Sequence, residues 1–226
     1  MNFLFYLLIP VLVGYLIGSI PFGYIAGKLK GIDLTKEGSG STGTTNVLRL
    51  VGKKEAIFVL IGDFAKGLVA PIIAVCLVKV LISYKALVDI TLNPSLPLPM
   101  VLASFASLVG HVKSCWIGFK GGKAVATGVG TIFALDWRVG LITAIIWGLT
   151  VYISKISSLG ALVAVPSTVI TMFFVRSFNT NLPDKESILI YCSYCLIGTA
   201  YIIFKHKNNI QRLLNGTEPK IGQKSS

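Results

Sequence analysis

The residues able to do chemistry fall in three short stretches. The first is EGSGSTGTTNVLR over 37–49, where Gly38, Gly40 and Gly43 stand among Ser39, Ser41, Thr42, Thr44 and Thr45 and the run closes on Asn46 and Arg49. Glycine adopts backbone angles that turn successive N–H groups toward one point, so such a loop makes a concave anion seat with hydroxyls as further donors. By letter, GSGSTG also matches the dinucleotide fingerprint G-x-G-x-x-G, with Asp63 at a suitable distance. That fingerprint needs a strand before it and a βαβ unit around it, whereas apolar segments flank this loop on both sides. A phosphate-binding loop is the better reading. A flexible turn would explain the glycines but neither the dense hydroxyls nor Asn46 and Arg49.

The second stretch is GHVKSCWIGFKGGKAVATGVG over 110–130, with His111, Lys113, Lys120 and Lys123 around the pair Gly121 and Gly122. It is not a Walker A loop: Ile117 stands where that motif has its first glycine, and Ala124 follows the lysine. A glycine pair between lysines that opens into a helix nevertheless gathers backbone donors, a positive dipole end and ammonium groups at one point. Cytoplasmic charge anchoring would account for Lys113 and Lys120, but not for Gly-Gly or His111. The third stretch, FKHKNNIQRLLNGTE over 204–218, puts His206, Asn209 and Arg212 at helical spacing on one face, beside Lys205. Taken alone it reads as a basic helix attracted to lipid headgroups. Three cationic clusters together favour a composite anion site.

Other chemistries are poorly served. Asp63 and Lys66 lie one turn apart within an apolar run and read as a structural ion pair. His111 and His206 are the two histidines, with no Ser-His-Asp pattern around them, so a serine acyl-enzyme lacks support. No carboxylate or histidine cluster suits a metal, and no cofactor is expected. Cys192-x-x-Cys195 has redox spacing, but its surroundings offer no second ligand pair, and all four cysteines read as packing residues.

The elements that must position these stretches belong in a membrane. Of 226 residues, 54% are hydrophobic and 13% charged, and the mean hydropathy is +0.77, which excludes an ordinary soluble globule. Seven apolar segments are legible, near 3–27, 56–80, 98–113, 122–136, 138–154, 159–176 and 187–204, the third and fourth being short for the ~20 residues a crossing needs. The N-terminus lacks a basic n-region and a cleavage site, so the first segment reads as a retained helix. Gly14, Gly18, Gly23 and Gly27 recur at close spacing and favour tight helix packing, with a homodimer possible through the same faces.

With seven crossings, fifteen of the 21 Lys and Arg fall on one side, five on the other, and Lys66 within a span. The basic side should be cytoplasmic, with the N-terminus outside and the C-terminus inside. The net charge of +12 then suits phosphates and anionic headgroups rather than nucleic acid.

Five motifs in order, GSIPFGYIAG, GSGSTGTTNVLR, D-x-x-KG, GH…FKGGKAVAT and H-x-x-N-x-x-RLLNGTE, resemble the bacterial PlsY family of acyl-phosphate:glycerol-3-phosphate acyltransferases over nearly the whole chain. The resemblance implies one membrane-embedded acyltransferase domain over 1–226, all-α with seven transmembrane helices, in the bacterial inner membrane with its site facing the cytoplasm. It implies transfer of a fatty acyl group from acyl phosphate to glycerol 3-phosphate, giving lysophosphatidate and phosphate for phospholipid biosynthesis.

Carried over by motif position, the expected catalytic residues are Ser39, Arg49, His111 and Lys123. Thr45, Asn46, Lys120, Gly121, Gly122, His206, Asn209 and Arg212 are the expected substrate contacts. Three departures stand out: Thr44 where the family has Ala, Ala124 where Gly follows GGK, and no proline between Lys113 and Trp116. A transporter of phosphate esters and an acyl-CoA-dependent enzyme are the competing readings.

Overall fold

A computed structural model describes residues 2–83, 97–178 and 185–223; Lys85 and Lys224, which entered the charge count above, lie outside these. The described chain is helical, with α1 (Asn2–Gly18), α2 (Phe22–Lys28), α3 (Thr44–Leu50), α4 (Lys53–Ser83), α5 (Pro97–Val112), α6 (Val125–Leu135), α7 (Trp137–Ser154), α8 (Ser157–Ser177), α9 (Lys185–Lys205) and α10 (Lys207–Leu214). A lone bridge between Ser114 and Lys120 is the β pairing among the described residues.

Five stretches are long and apolar enough to cross a membrane: Tyr6–Lys28, Lys53–Leu81, Trp137–Ser154, Ser157–Ser177 and Lys185–Lys205. The remaining two of the seven expected segments form the shorter apolar helices Pro97–Val112 and Val125–Leu135. At 1.5 Å per residue α6 is roughly 16 Å long, about half the ~30 Å of bilayer hydrocarbon. It starts at Val125 rather than near 122, because Gly121 to Lys123 remain non-helical. Leu12, Ile61, Ile153, Ile170 and Leu189 are exposed on the outer faces of the long helices, where a membrane would cover them.

The first apolar segment is broken. Pro21 supplies no N–H and its ring disfavours a helical residue before it, so Ser19 to Pro21 leave the helix. The freed carbonyls are capped from elsewhere in the chain: Ser114 Oγ, in the turn after α5, donates to Ser19 O at 2.6 Å, and Lys66 Nζ of α4 donates to Ile20 O at 2.8 Å. Non-helical backbone at this depth is tolerated where such partners exist.

Glycines set the helix spacing. A Cβ on Gly14 or Gly18 would collide with the backbone of Ala103 or Ser107 in α5, and one on Gly67 with Thr127 in α6. Lipid gives no hydrophobic drive between helices, so this backbone contact is what packs α1 on α5 and α4 on α6. The Gly14 and Gly18 face, a candidate for self-association, is therefore occupied within the chain. The main apolar core joins Leu108 of α5, Ile132 of α6, Met172 of α8 and Tyr194 of α9. A second core around Leu34, Val47 and Val59 lies under the glycine-rich loop.

Candidate active site

Four segments far apart in sequence meet at one end of the bundle. In the 37–49 loop, Gly38 and Gly40 take φ of +59° and +67°, angles open to glycine at little cost. The buried side chain of Asn46 holds the resulting curl: its Oδ1 accepts from Ser39 N at 3.1 Å, and its Nδ2 donates to Glu37 O at 3.2 Å and to Ser41 O at 2.9 Å. Arg49, in the last turn of α3, is half-buried, and its Nη2 reaches Pro219 O at 3.4 Å. Thr45 Oγ1 donates to Ser157 Oγ at 3.2 Å, joining the loop to the start of α8.

The Gly121–Gly122 turn is seated on His111. Gly122 N donates to His111 O at 3.2 Å, and Thr42 N donates to Gly121 O at 3.4 Å, bringing the two glycine loops together. A Cβ at Gly122 would strike His111 Nε2, so only glycine allows the imidazole this close. On its other side, His111 Nδ1 lies 3.1 Å from Thr127 Oγ1 and 3.5 Å from Asp63 Oδ1. Asp63 pairs with Lys66 at 2.7 Å, the structural pair expected from the sequence, with the added task of holding the imidazole.

Lys123 leaves this turn toward the tail and donates to Asn209 Oδ1 at 2.5 Å. Asn209 Nδ2 in turn donates to Glu218 Oε1 at 2.6 Å. Ser158 Oγ donates to the same oxygen at 2.7 Å, and Arg212 Nε donates to Glu218 Oε2 at 2.7 Å. Burial pushes Glu218 upward, but these hydrogen bonds and the Arg212 charge prevail and hold its carboxyl below the usual range. Burial is also the main influence on Lys123; with repulsion from Arg212 and Arg49 it outweighs attraction to Glu218 and lowers the ammonium to about 8. Arg49, Arg212 and Lys123 therefore act on one another around a single carboxylate.

His206 sits where α9 bends into α10. Its Nδ1 lies 2.7 Å from Ile202 O; a carbonyl only accepts, so Nδ1 carries the proton and Nε2 is bare in the neutral ring. Burial, with the nearby Lys123 charge, lowers its pKa despite the hydrogen bond to Ile202 and the pull of Glu218. The sequence pattern treats 205–212 as one continuous helical face; the structure breaks it at His206, and Asn209 and Arg212 are oriented by α10 alone.

Of the expected site residues, Arg49, Lys123, His206, Asn209 and Arg212 converge directly, with Thr45 at their edge. Gly121, Gly122 and His111 form the floor. Asn46 is turned to its own loop backbone. Ser39 is exposed on the loop, and Lys120 is exposed on the short hairpin before the glycine pair. Sequence reasoning assigned no role to Glu218, Ser157 or Ser158. The signal for Glu218 was present, since it is the single acidic residue in the basic tail; the two serines are marked only by their place at the start of an apolar segment.

Fold and site together define a multi-pass membrane protein with a cationic, hydroxyl-rich cluster at one end of its helices. A family model described as Glycerol-3-phosphate acyltransferase matches residues 8–216. A protein of that name from Nostoc sp. is 44% identical over 220 residues, covering 95% of this chain and 91% of the relative. One from Synechococcus sp. is 41% identical, covering 96% and 94%. The crystal structure of PlsY (YgiH), an integral membrane glycerol 3-phosphate acyltransferase, in its glycerol 3-phosphate form superposes with a TM-score of 0.77 at 33% identity over 96% of each chain. Its lysophosphatidic acid form gives a TM-score of 0.73. The chain belongs to the glycerol-3-phosphate acyltransferase family and is a membrane enzyme of that family.

Proposed function

We propose that this enzyme transfers a fatty acyl group from acyl phosphate to glycerol 3-phosphate, releasing 1-acyl-glycerol 3-phosphate and inorganic phosphate. The reaction would take place at the cytoplasmic face of the bacterial inner membrane, the N-terminus lying outside. The observation that carries the reading is the convergence of Arg49, Lys123 and Arg212 around the lone carboxylate of Glu218. Both substrates are phosphate esters or anhydrides, and bringing two such anions together demands a surplus of fixed positive charge.

The donor is already activated, so the site must orient rather than form a covalent acyl-enzyme. A hydroxyl oxygen of glycerol 3-phosphate attacks the acyl carbonyl carbon; a C–O bond forms, and the bond between that carbon and the phosphate oxygen breaks. The hydroxyl proton passes to the departing phosphate. His111 is the alternative acceptor, but its imidazole is 6% exposed and lies beneath Gly122, which suits a support for the loop better than a base. Arg49 grips a phosphate through its fork of donors, while Lys123, loop N–H groups and Ser39 offset charge growing on the carbonyl oxygen.

The test is to supply purified protein with acyl phosphate and glycerol 3-phosphate and to follow lysophosphatidate and phosphate. Stoichiometric appearance of both is expected, and acyl-CoA should not replace the donor. Acyl-CoA-dependent product would overturn the donor assignment. Uptake of phosphate ester into vesicles without product would overturn the enzymatic reading altogether. Loss of turnover in His111→Gln with glycerol 3-phosphate binding intact would transfer the proton to His111.

A further inference from the structure

The chain leaves α5 through a closed hairpin that shows two aromatic rings to the outside. Ser114 N donates to Lys120 O at 3.1 Å and Phe119 N to Ser114 O at 2.8 Å. The foot of the hairpin is held to the bundle by Ser114 Oγ on Ser19 O and by the Tyr15 hydroxyl, which donates to Lys113 O at 2.8 Å. Gly118 turns the chain with φ +64°, and Phe119 follows at φ +57°, an angle that a bulky L-residue takes only at a cost. Trp116 and Phe119 are nevertheless 63% and 60% exposed. Water gives no return for strained backbone that displays a ring; the headgroup layer of a bilayer, where Trp and Phe settle, does.

That layer is where the hairpin lies. The apolar span of α9 ends at Lys205, and Lys113, at the foot of the hairpin, is near enough to Lys205 to repel it, as is Lys207. Lys205 Nζ lies 5.8 Å from the centres of the Tyr201 and Phe204 rings, and Lys207 Nζ lies 5.7 Å from that of Phe204. Such stems rest on aromatic surface and lift their ammonium groups to the interface. Lys30 and Lys36 have carboxylates beside them, Glu55 and Asp33; among the described residues no carboxylate pairs with Lys113, Lys205 or Lys207. The general preference for lysine on one side of a membrane asks only for the same side, whereas three like charges held together stand at a cost until an anion joins them. They also face away from the anion site proposed above: His111 and His206 are buried, while Lys113 and Lys207 are exposed and Lys205 is half-buried.

We infer that Lys113, Lys205 and Lys207, with the Trp116 and Phe119 rings beside them, seat the phosphate of an anionic phospholipid from the leaflet at this end of the bundle. The lysines supply the preference for negative charge; the rings supply apolar contact that any phospholipid shares. This seat lies outside acyl transfer, and its test uses no substrate.

Trp116 reports on the seat once Trp137 and Trp147, the other two tryptophans, are replaced by Phe. The full chain in neutral detergent is titrated with phosphatidylglycerol or phosphatidylcholine, and the shift in Trp116 emission gives each affinity. Phosphatidylglycerol should bind about tenfold to a hundredfold more tightly, since each lysine near an anionic lipid contributes up to about fivefold. Lys113→Gln, Lys205→Gln and Lys207→Gln should each lose about twofold to fivefold of that preference, and the triple variant should lose all of it; the single variants serve if the triple does not fold. Phe119→Asn, which tolerates the left-handed angle, should weaken both lipids alike and keep the preference. Lys185→Gln, at the opposite end of α9, should match the parent. Equal affinity for the two lipids, or a preference untouched by the lysine variants, overturns the inference. So does displacement of the lipid by inorganic phosphate at matched ionic strength, which would assign the shift to the charged site. A shift that follows protein concentration without lipid also overturns it, making the patch a contact between copies.

Discussion

The two ends of the helix bundle are built around the same device, a buried carboxylate facing arginines, and they do different work. At the far end Asp136 accepts from Arg138 Nη2 at 2.8 Å and Nε at 3.1 Å, with Arg176 Nε at 3.5 Å. Arg176 also donates to Leu135 O at 2.8 Å and lies 4.2 Å over the Tyr191 ring. Both arginines are engaged, and the cluster ties α6, α7, α8 and α9 together. At the basic end one carboxylate, Glu218, faces Arg212, Lys123 and Arg49, and the nearest partner of Arg49 is a backbone carbonyl at 3.4 Å. A balanced cluster serves as a strut; the unbalanced one leaves positive charge over, which is the basis of the anion site proposed above.

The sharpest way to break that comparison is to remove one charge at each end. Arg49→Ala should lower kcat/KM for lysophosphatidate formation by about 10²–10³, the usual loss for one donor at a reacting centre, with little change in thermal unfolding. Asp136→Asn should do the reverse. It weakens charge-assisted bonds to two arginines, which costs about 1–3 kcal/mol of stability, and the folded fraction should keep the parent kcat/KM. Equal loss of activity in both variants would mean that the two ends are not functionally distinct.

A second measurement uses the ammonium of Lys123, lowered to about 8 by burial and by the arginines beside it. In the proposed mechanism the protonated form is the one that offsets charge on the carbonyl oxygen, so kcat/KM, which reports free enzyme, should fall as pH rises through about 8. Glu218 raises this group, so Glu218→Gln should move the alkaline limb to lower pH, whereas Lys123→Arg should remove it from the measurable range. A limb insensitive to both substitutions would assign the titration elsewhere.

Much of this was legible before any coordinates. The apolar runs located the helical segments because hydrocarbon demands apolar residues, five of them long enough to cross a membrane and two shorter, and the glycine-rich loops marked themselves by residue types that helices disfavour. What stayed hidden depended on tertiary contact. The break at Ser19 to Pro21 is stable because Lys66 arrives from α4 and Ser114 from the turn after α5. The late start of α6 follows from Gly122 resting on His111. Glu218 entered the reading as part of a motif without a role, since a carboxylate within a cationic tail gains meaning only when Ser158, Asn209 and Arg212 are seen to surround it. The Asp63 pairing was visible at i, i+3, but its contact with His111 spans two helices.

The smallest effect expected concerns Ala124, one of the departures from the family pattern. It takes φ +60° at the start of α6, a left-handed position that costs an L-residue about 1–2 kcal/mol. Ala124→Gly removes that strain, but it also removes a methyl that is fully buried, worth about 0.8 kcal/mol, and gives the unfolded chain more freedom, roughly 0.5–1 kcal/mol. These terms nearly cancel, so thermal unfolding and kcat/KM should both stay close to the parent. Two residues earlier the outcome is opposite: Gly122→Ala drives a Cβ into His111 Nε2 and should displace the turn that carries Lys123. Matched measurements on the two variants separate backbone angle from side-chain clearance as the reason this loop is glycine-rich. A large loss in Ala124→Gly would show that the buried methyl, rather than the glycine pair, sets the position of Lys123.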